Sequence, residues 1–174
     1  MPLPVPQQEI ADLLQADRLL HPPIYETFSQ PVTEAYRNMR EIILQARERS
    51  MYLSNQDRFI AALNELQKTA GLQYGWDSYG AEAPTPASAS IAKHILSILQ
   101  QSNMPPSKVA ASAEGGVGIC FVEGEKYADI EIFNDGEMLA TTYRGDSEAR
   151  IWDLESDDAS ITEAIKQIRA HLSA

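Results

Sequence analysis

The chain is predicted to be an α+β protein: a five-stranded antiparallel meander packed on two helices, with an N-terminal helical extension. Three observations predict this class. Apolar residues recur at helical spacing up to about residue 102 and again after 160. Between about Lys108 and Leu154 they fall instead in short β-type runs. Gly-bearing turns separate those runs about every ten residues, as hairpin connections do.

The elements follow in chain order. Ile10, Leu13 and Leu14 share one stripe between Pro6 and the stop His21-Pro22-Pro23, which predicts a short helix, and "IYETFSQP" reads as a linker. Pro31 suits a first helical turn, and Val32, Ala35, Tyr36, Met39, Ile42, Ile43 and Ala46 predict a second helix to about Arg49. "SNQD" (Ser54–Asp57) has capping-box form and predicts a third, carried by Phe59, Ala62, Leu63, Leu66 and Ala70, with Gly71 in the C′ place. Thr85 as N-cap and Pro86 as first helical residue open the next helix, whose stripe is Ile91, Ile95, Ile98 and Leu99.

The predicted strands are "KVAASA", "VGICFVE", "KYADIEIF", "EMLATTY" and "EARIWDL", joined by "EGG", "EGE", "NDG" and "RGD". Asp135-Gly136 has the composition of a type I′ turn. In "YADIEIF", Ala128, Ile130 and Ile132 alternate with Asp129 and Glu131, which marks a sheet with one wet face. Ser160 and Glu163 form a capping box for the last helix, whose stripe is Ile161, Ala164, Ile165, Ile168 and Leu172. The expected organisation is a helical extension over 1–70 and an α+β domain over 71–174.

Composition narrows the function. The 174 residues carry a net charge of −11 and one cysteine, Cys120, so no internal disulfide is available. No apolar run reaches the roughly 18 residues of a membrane span, and the N-terminus lacks a signal-peptide pattern, so a cytoplasmic, bacterial-type protein is expected. Residues 71–174 hold 16 acids and 7 bases, which disfavours nucleic acid and favours a basic protein partner. Arg37, Arg40, Arg47 and Arg49 give the second helix a partly basic face, either solvated or a docking surface for an acidic body.

The stretch "GWDSYGAEAPTP" (75–86) is the candidate site. Trp76 and Tyr79 combine apolar area with a polar tip, and Asp77 can accept hydrogen bonds from backbone amides two residues on. Trp76 reads structurally as an anchor of the loop against the helix–sheet core. Functionally, Trp76 and Tyr79 would make a stacking surface, with Asp77, and Asp129 and Glu131 on the wet sheet face, as further ligand- or partner-binding residues. His21, His94 and His171 form no metal-binding motif, and "AEGGVG" lacks the P-loop lysine. Cys120, in an apolar strand, reads as a small buried hydrophobe. No catalytic residue, metal or cofactor is assigned.

"GWDSYGA", the Thr-Pro cap, the helix, and "PPSKV" leading to "GGVGICF" carry a resemblance over residues 72–140. The chain resembles a family of uncharacterised bacterial proteins in which a GWDGYGA-like stretch precedes a helix and a small antiparallel sheet. The resemblance implies a fold and no activity. Ser78 stands where the family pattern has glycine, which implies a turn less dependent on positive φ. The expected function is a non-enzymatic protein–protein interaction or accessory module, of antitoxin or immunity type, self-associating or binding a basic protein. The alternative is a small-molecule-binding or hydrolytic domain with its pocket at the aromatic loop.

Overall fold

The computed structural model describes residues 30–174, with side chains from Arg37 onward. The predicted helix in the first twenty residues and the linker up to residue 29 lie outside the described residues. The elements are α1 (Gln30–Ala70), α2 (Pro86–Gln101), β1 (Lys108–Ala111), β2 (Gly116–Glu123), β3 (Lys126–Phe133), β4 (Met138–Arg144), β5 (Arg150–Asp153) and α3 (Asp158–Ser173). They make an α+β fold.

The two predicted helices over 31–70 are one. Between Pro31 and Gly71 the chain holds neither glycine nor proline, so nothing breaks the hydrogen-bond ladder, and the Ser54–Asp57 capping box lies inside α1. A capping box orders a helix start only where the preceding turn has already ended. Helix α1 ends at Ala70 through tight turns in which Gly71 N–H and Leu72 N–H donate to the Lys68 and Thr69 carbonyls, at 3.1 and 3.2 Å. Gly71 therefore stops the helix without the left-handed conformation expected of a C′ glycine.

The chain divides into two compact units between Met51 and Tyr52. The described part of the first is the helical segment 30–51. The second holds the rest of α1, the sheet, α2 and α3.

The five strands pair antiparallel in sequence order, β1-β2-β3-β4-β5. The register puts Val109, Ile119, Ile130, Ala140 and Trp152 in one row across the sheet. Neighbouring positions point to the other face, so one side is apolar and the other mixed. The apolar side packs on Ala92, Ile95, Leu96 and Leu99 of α2 and on Ile161, Ala164, Ile165 and Ile168 of α3. Each such fully buried aliphatic contributes about 1.5–3 kcal/mol. Phe59, Ala62 and Leu66 of α1 belong to the same buried cluster. Glu65 accepts from Val109 N–H at 2.8 Å, which occupies a donor on the outer strand β1 and blunts that sheet edge.

Local chemistry sets the connections. Thr85 caps α2 as predicted, its Oγ1 accepting from Ser88 N–H at 3.2 Å, with Pro86 as the first helical residue. For α3 the cap is Asp157, three residues before the expected Ser160: its Oδ1 accepts from Ala159 N–H and Ser160 N–H, both at 2.9 Å. Ser160 Oγ instead accepts from Glu155 N–H at 3.1 Å, holding the approach to the helix. The β3–β4 hairpin is not type I′. In this turn only Gly136 takes positive φ, at 94°. Gly136 N–H donates to Phe133 O at 3.1 Å and Phe133 N–H to Glu137 O at 2.9 Å, the pattern of a type I turn followed by a glycine bulge. Gly116 opens β2 at φ 122°, where a Cβ would lie 2.0 Å from Ile132 O; only glycine lets β2 approach β3 there.

Candidate functional site

The segment between α1 and α2 is held from within. Asp77 Oδ1 accepts from Tyr79 N–H at 2.9 Å and from Ala81 N–H at 3.0 Å, and Gly75 N–H donates to Ala81 O at 2.9 Å. These amides, Ala81 first and Tyr79 second, hold the Asp77 carboxyl below its ordinary value because they stabilise the charged form. Ser78 closes the turn at φ 68°, in the left-handed region. The loop thus takes positive φ at Ser78, contrary to the expectation of a turn less dependent on it.

Trp76 is not the expected anchor against the core. It is 36% exposed, lies outside the buried cluster, and donates its indole N–H to the Glu82 carbonyl at 3.3 Å. The indole ties the loop to itself, six residues on. Tyr79 is 95% exposed. The loop reaches the sheet through a residue the sequence reading passed over, Asn134 at the end of β3. Asn134 Oδ1 accepts from Thr85 N–H at 2.8 Å, and its amide donates to Ala83 O at 2.9 Å. An Asn ahead of Asp-Gly signals a turn, and nothing local marks it as a tether over 49 residues.

Asp129 and Glu131 lie on the face of the sheet opposite α2 and α3, side by side with a two-residue offset along β3. Cys120 sits directly across from Asp129, on this open face rather than in the core, as strand alternation requires. Tyr127 O–H donates to Asp129 Oδ2 at 3.0 Å, and Cys120 Sγ lies 3.5 Å from the same phenol oxygen. Burial pushes both the Cys120 thiol and the Tyr127 phenol up, so each keeps its proton. A thiol so held is a poor nucleophile. Asp129 Oδ1 is buried and has no hydrogen-bond donor among the described residues. Glu131 accepts from Ser112 Oγ. Tyr127 stacks on Tyr143 of β4 with ring centroids 4.8 Å apart.

Concavities among the described residues include two that lie elsewhere. One, of about 500 Å³, is an apolar groove between α1 and α2, bounded by Leu63, Ala70, Pro86 and Lys93. The other, of about 470 Å³, lies between the β4–β5 end of the sheet and α3, with Arg144, Arg150, Trp152 and His171 in its wall. Neither includes Trp76, Asp77, Tyr79, Asp129 or Glu131. The sequence reading missed the second cleft; its signal was "RIWD", where Arg150 and Trp152 alternate onto one face of β5. Among the described residues no group of three or more His, Cys, Asp or Glu side chains is placed to hold a metal ion, and no helix is long and apolar enough to cross a membrane.

Comparison of the chain with protein-family models, with curated proteins and with solved structures finds no match.

Proposed function

We propose that this chain is a non-enzymatic protein–protein interaction module that self-associates through α1 and presents an acidic sheet face to a basic partner. One observation carries the reading: the N-terminal half of α1 leaves large apolar side chains in water. Met39 is 48% exposed, Ile42 66% and Leu53 56%. A helix advances about 100° per residue. Met39, Ile42 and Ala46 therefore share one side of this segment, at the spacing of an amphipathic stripe.

Its chemistry suits a second copy. Met39, Ile42, Ile43, Ala46, Ser50 and Leu53 fill an arc of about 100° on the wheel that contains no charged residue, while Arg37, Arg40, Glu41, Arg47, Glu48 and Arg49 lie outside it with the exposed Leu44, Met51 and Tyr52. A like-with-like pairing of this arc brings no equal charges together, as a two-fold interface requires. The sheet face adds the acidic surface. Asp129 and Glu131 supply its negative charge. Such charges mainly speed encounter and select partners. An accessory role of antitoxin or immunity type agrees with these two surfaces.

The test is the solution mass of the full chain by light scattering across a concentration series. We expect a dimer that the double substitution Ile42→Glu and Ile43→Glu converts to monomer with an unchanged circular-dichroism spectrum. A wild-type protein that stays monomeric throughout the series overturns self-association.

A further inference from the structure

We infer that the cleft between β4–β5 and α3 binds a small organic anion, with its phosphate or carboxylate oxygens on Arg144 and Arg150 and its apolar part against Trp152. The cleft measures about 470 Å³, within the range of small-molecule sites. Three elements supply its cationic or cationisable groups: Arg144 ends β4, Arg150 begins β5 and His171 lies in the last turn of α3.

The arginines are oriented without being neutralised. Arg150 lies 5.0 Å over the Trp152 ring and donates to Gln167 Oε1 at 3.1 Å. An aromatic face and a neutral amide position a guanidinium and leave its charge unbalanced. The nearest acid to Arg144 is Glu125 at 4.0 Å, and both side chains are more than half exposed, so that pair is weak. Among the described residues Glu148 is the one acid in the cleft wall, against two arginines. This concentration of positive charge is notable in a segment where residues 71–174 carry 16 acids and 7 bases. At about 0.15 M salt the distant acids are screened beyond about 8 Å, whereas contacts within the cleft persist.

The remaining polar groups fit an oxyanion on an apolar body. His171 Nε2 lies 3.0 Å from Tyr143 O, and a carbonyl only accepts, so Nε2 carries the hydrogen. Thr142, buried beside it, adds a hydroxyl to the wall. Two guanidinium forks match the planar or tetrahedral oxygens of carboxylate or phosphate.

The experiment titrates the full-length protein with phenyl phosphate and with benzoate, following the indole N–H resonance of Trp152 by NMR. We expect saturable shifts with at least one probe, a dissociation constant of about 1 mM or below, and about tenfold weakening in Arg150→Gln. Because Arg150→Gln also removes the ring stack, Arg144→Gln, which alters an exposed side chain, is measured beside it and weakens binding in the same direction. Tighter phenyl phosphate binding assigns the phosphate source, and tighter benzoate binding the carboxylate. No shift of Trp152 with either probe at about 10 mM, or wild-type affinity in both arginine variants, overturns the proposal.

Discussion

Ser78 holds a left-handed backbone at φ 68° in a turn whose neighbours Gly75 and Gly80 do the same at 75° and 93°. That conformation costs an L side chain about 1–2 kcal/mol, and glycine gives back part of it through its own unfolded-state entropy. Ser78→Gly is therefore expected to stabilise the protein by up to about 1 kcal/mol, read from the urea midpoint at unchanged slope. Asp77 sets the acid behaviour of the same loop. Its folded carboxyl is held below its ordinary value by the Ala81 and Tyr79 amides. A depressed carboxyl contributes stability that is fully present above the unfolded-state value, about pH 4, and is lost as pH falls through the lower folded value. Asp77→Asn should thus show a shallower loss of thermal stability than wild type below about pH 4, and identical acid profiles would show that the two amide bonds do not matter. Single residues were unevenly legible. Thr85-Pro86 announced a cap because an extended residue before a proline has few other uses. Asp157 and Ser160 both cap well, and only the path of the chain leaving β5 chooses between them.

At the scale of elements, the periods of 2 and 3.6 carried most of the reading. Alternation in "YADIEIF" separated the two faces of β3 as observed, but the face expected to be wet is half-buried. Continuity was harder to see: "SNQD" imitates a helix start, and only the unbroken ladder from Gln30 to Ala70 shows that no start is needed. Hairpin type was also hidden, because Asn-Asp-Gly can turn with one positive φ or two, and the strand register favours the bulged form here. The exposed and buried positions of α1 yield a paired prediction. Phe59→Ala, at a site 2% exposed, should cost about 3–5 kcal/mol, whereas Ile42→Ala, at one 66% exposed, should change the stability of the monomer by no more than about 0.5 kcal/mol. Comparable losses at low protein concentration would mean that Ile42 is covered even in the monomer.

For the whole molecule, composition and period determined the class: an N-terminal helical stretch, five short strands in sequence order and two helices for one apolar face, on a chain of net charge −11. These properties are local, because each strand pairs with its sequence neighbour and each helix buries a stripe written in its own residues. Tertiary structure decided the contacts that no local pattern encodes. It turned Trp76 back onto Glu82 rather than into the core. It made Asn134 the tether of the aromatic loop and set Tyr127 between Cys120 and Asp129. It also placed His171 in one cleft wall with Arg144 and Arg150, which a string of letters cannot show because that proximity arises only when α3 folds back across the sheet.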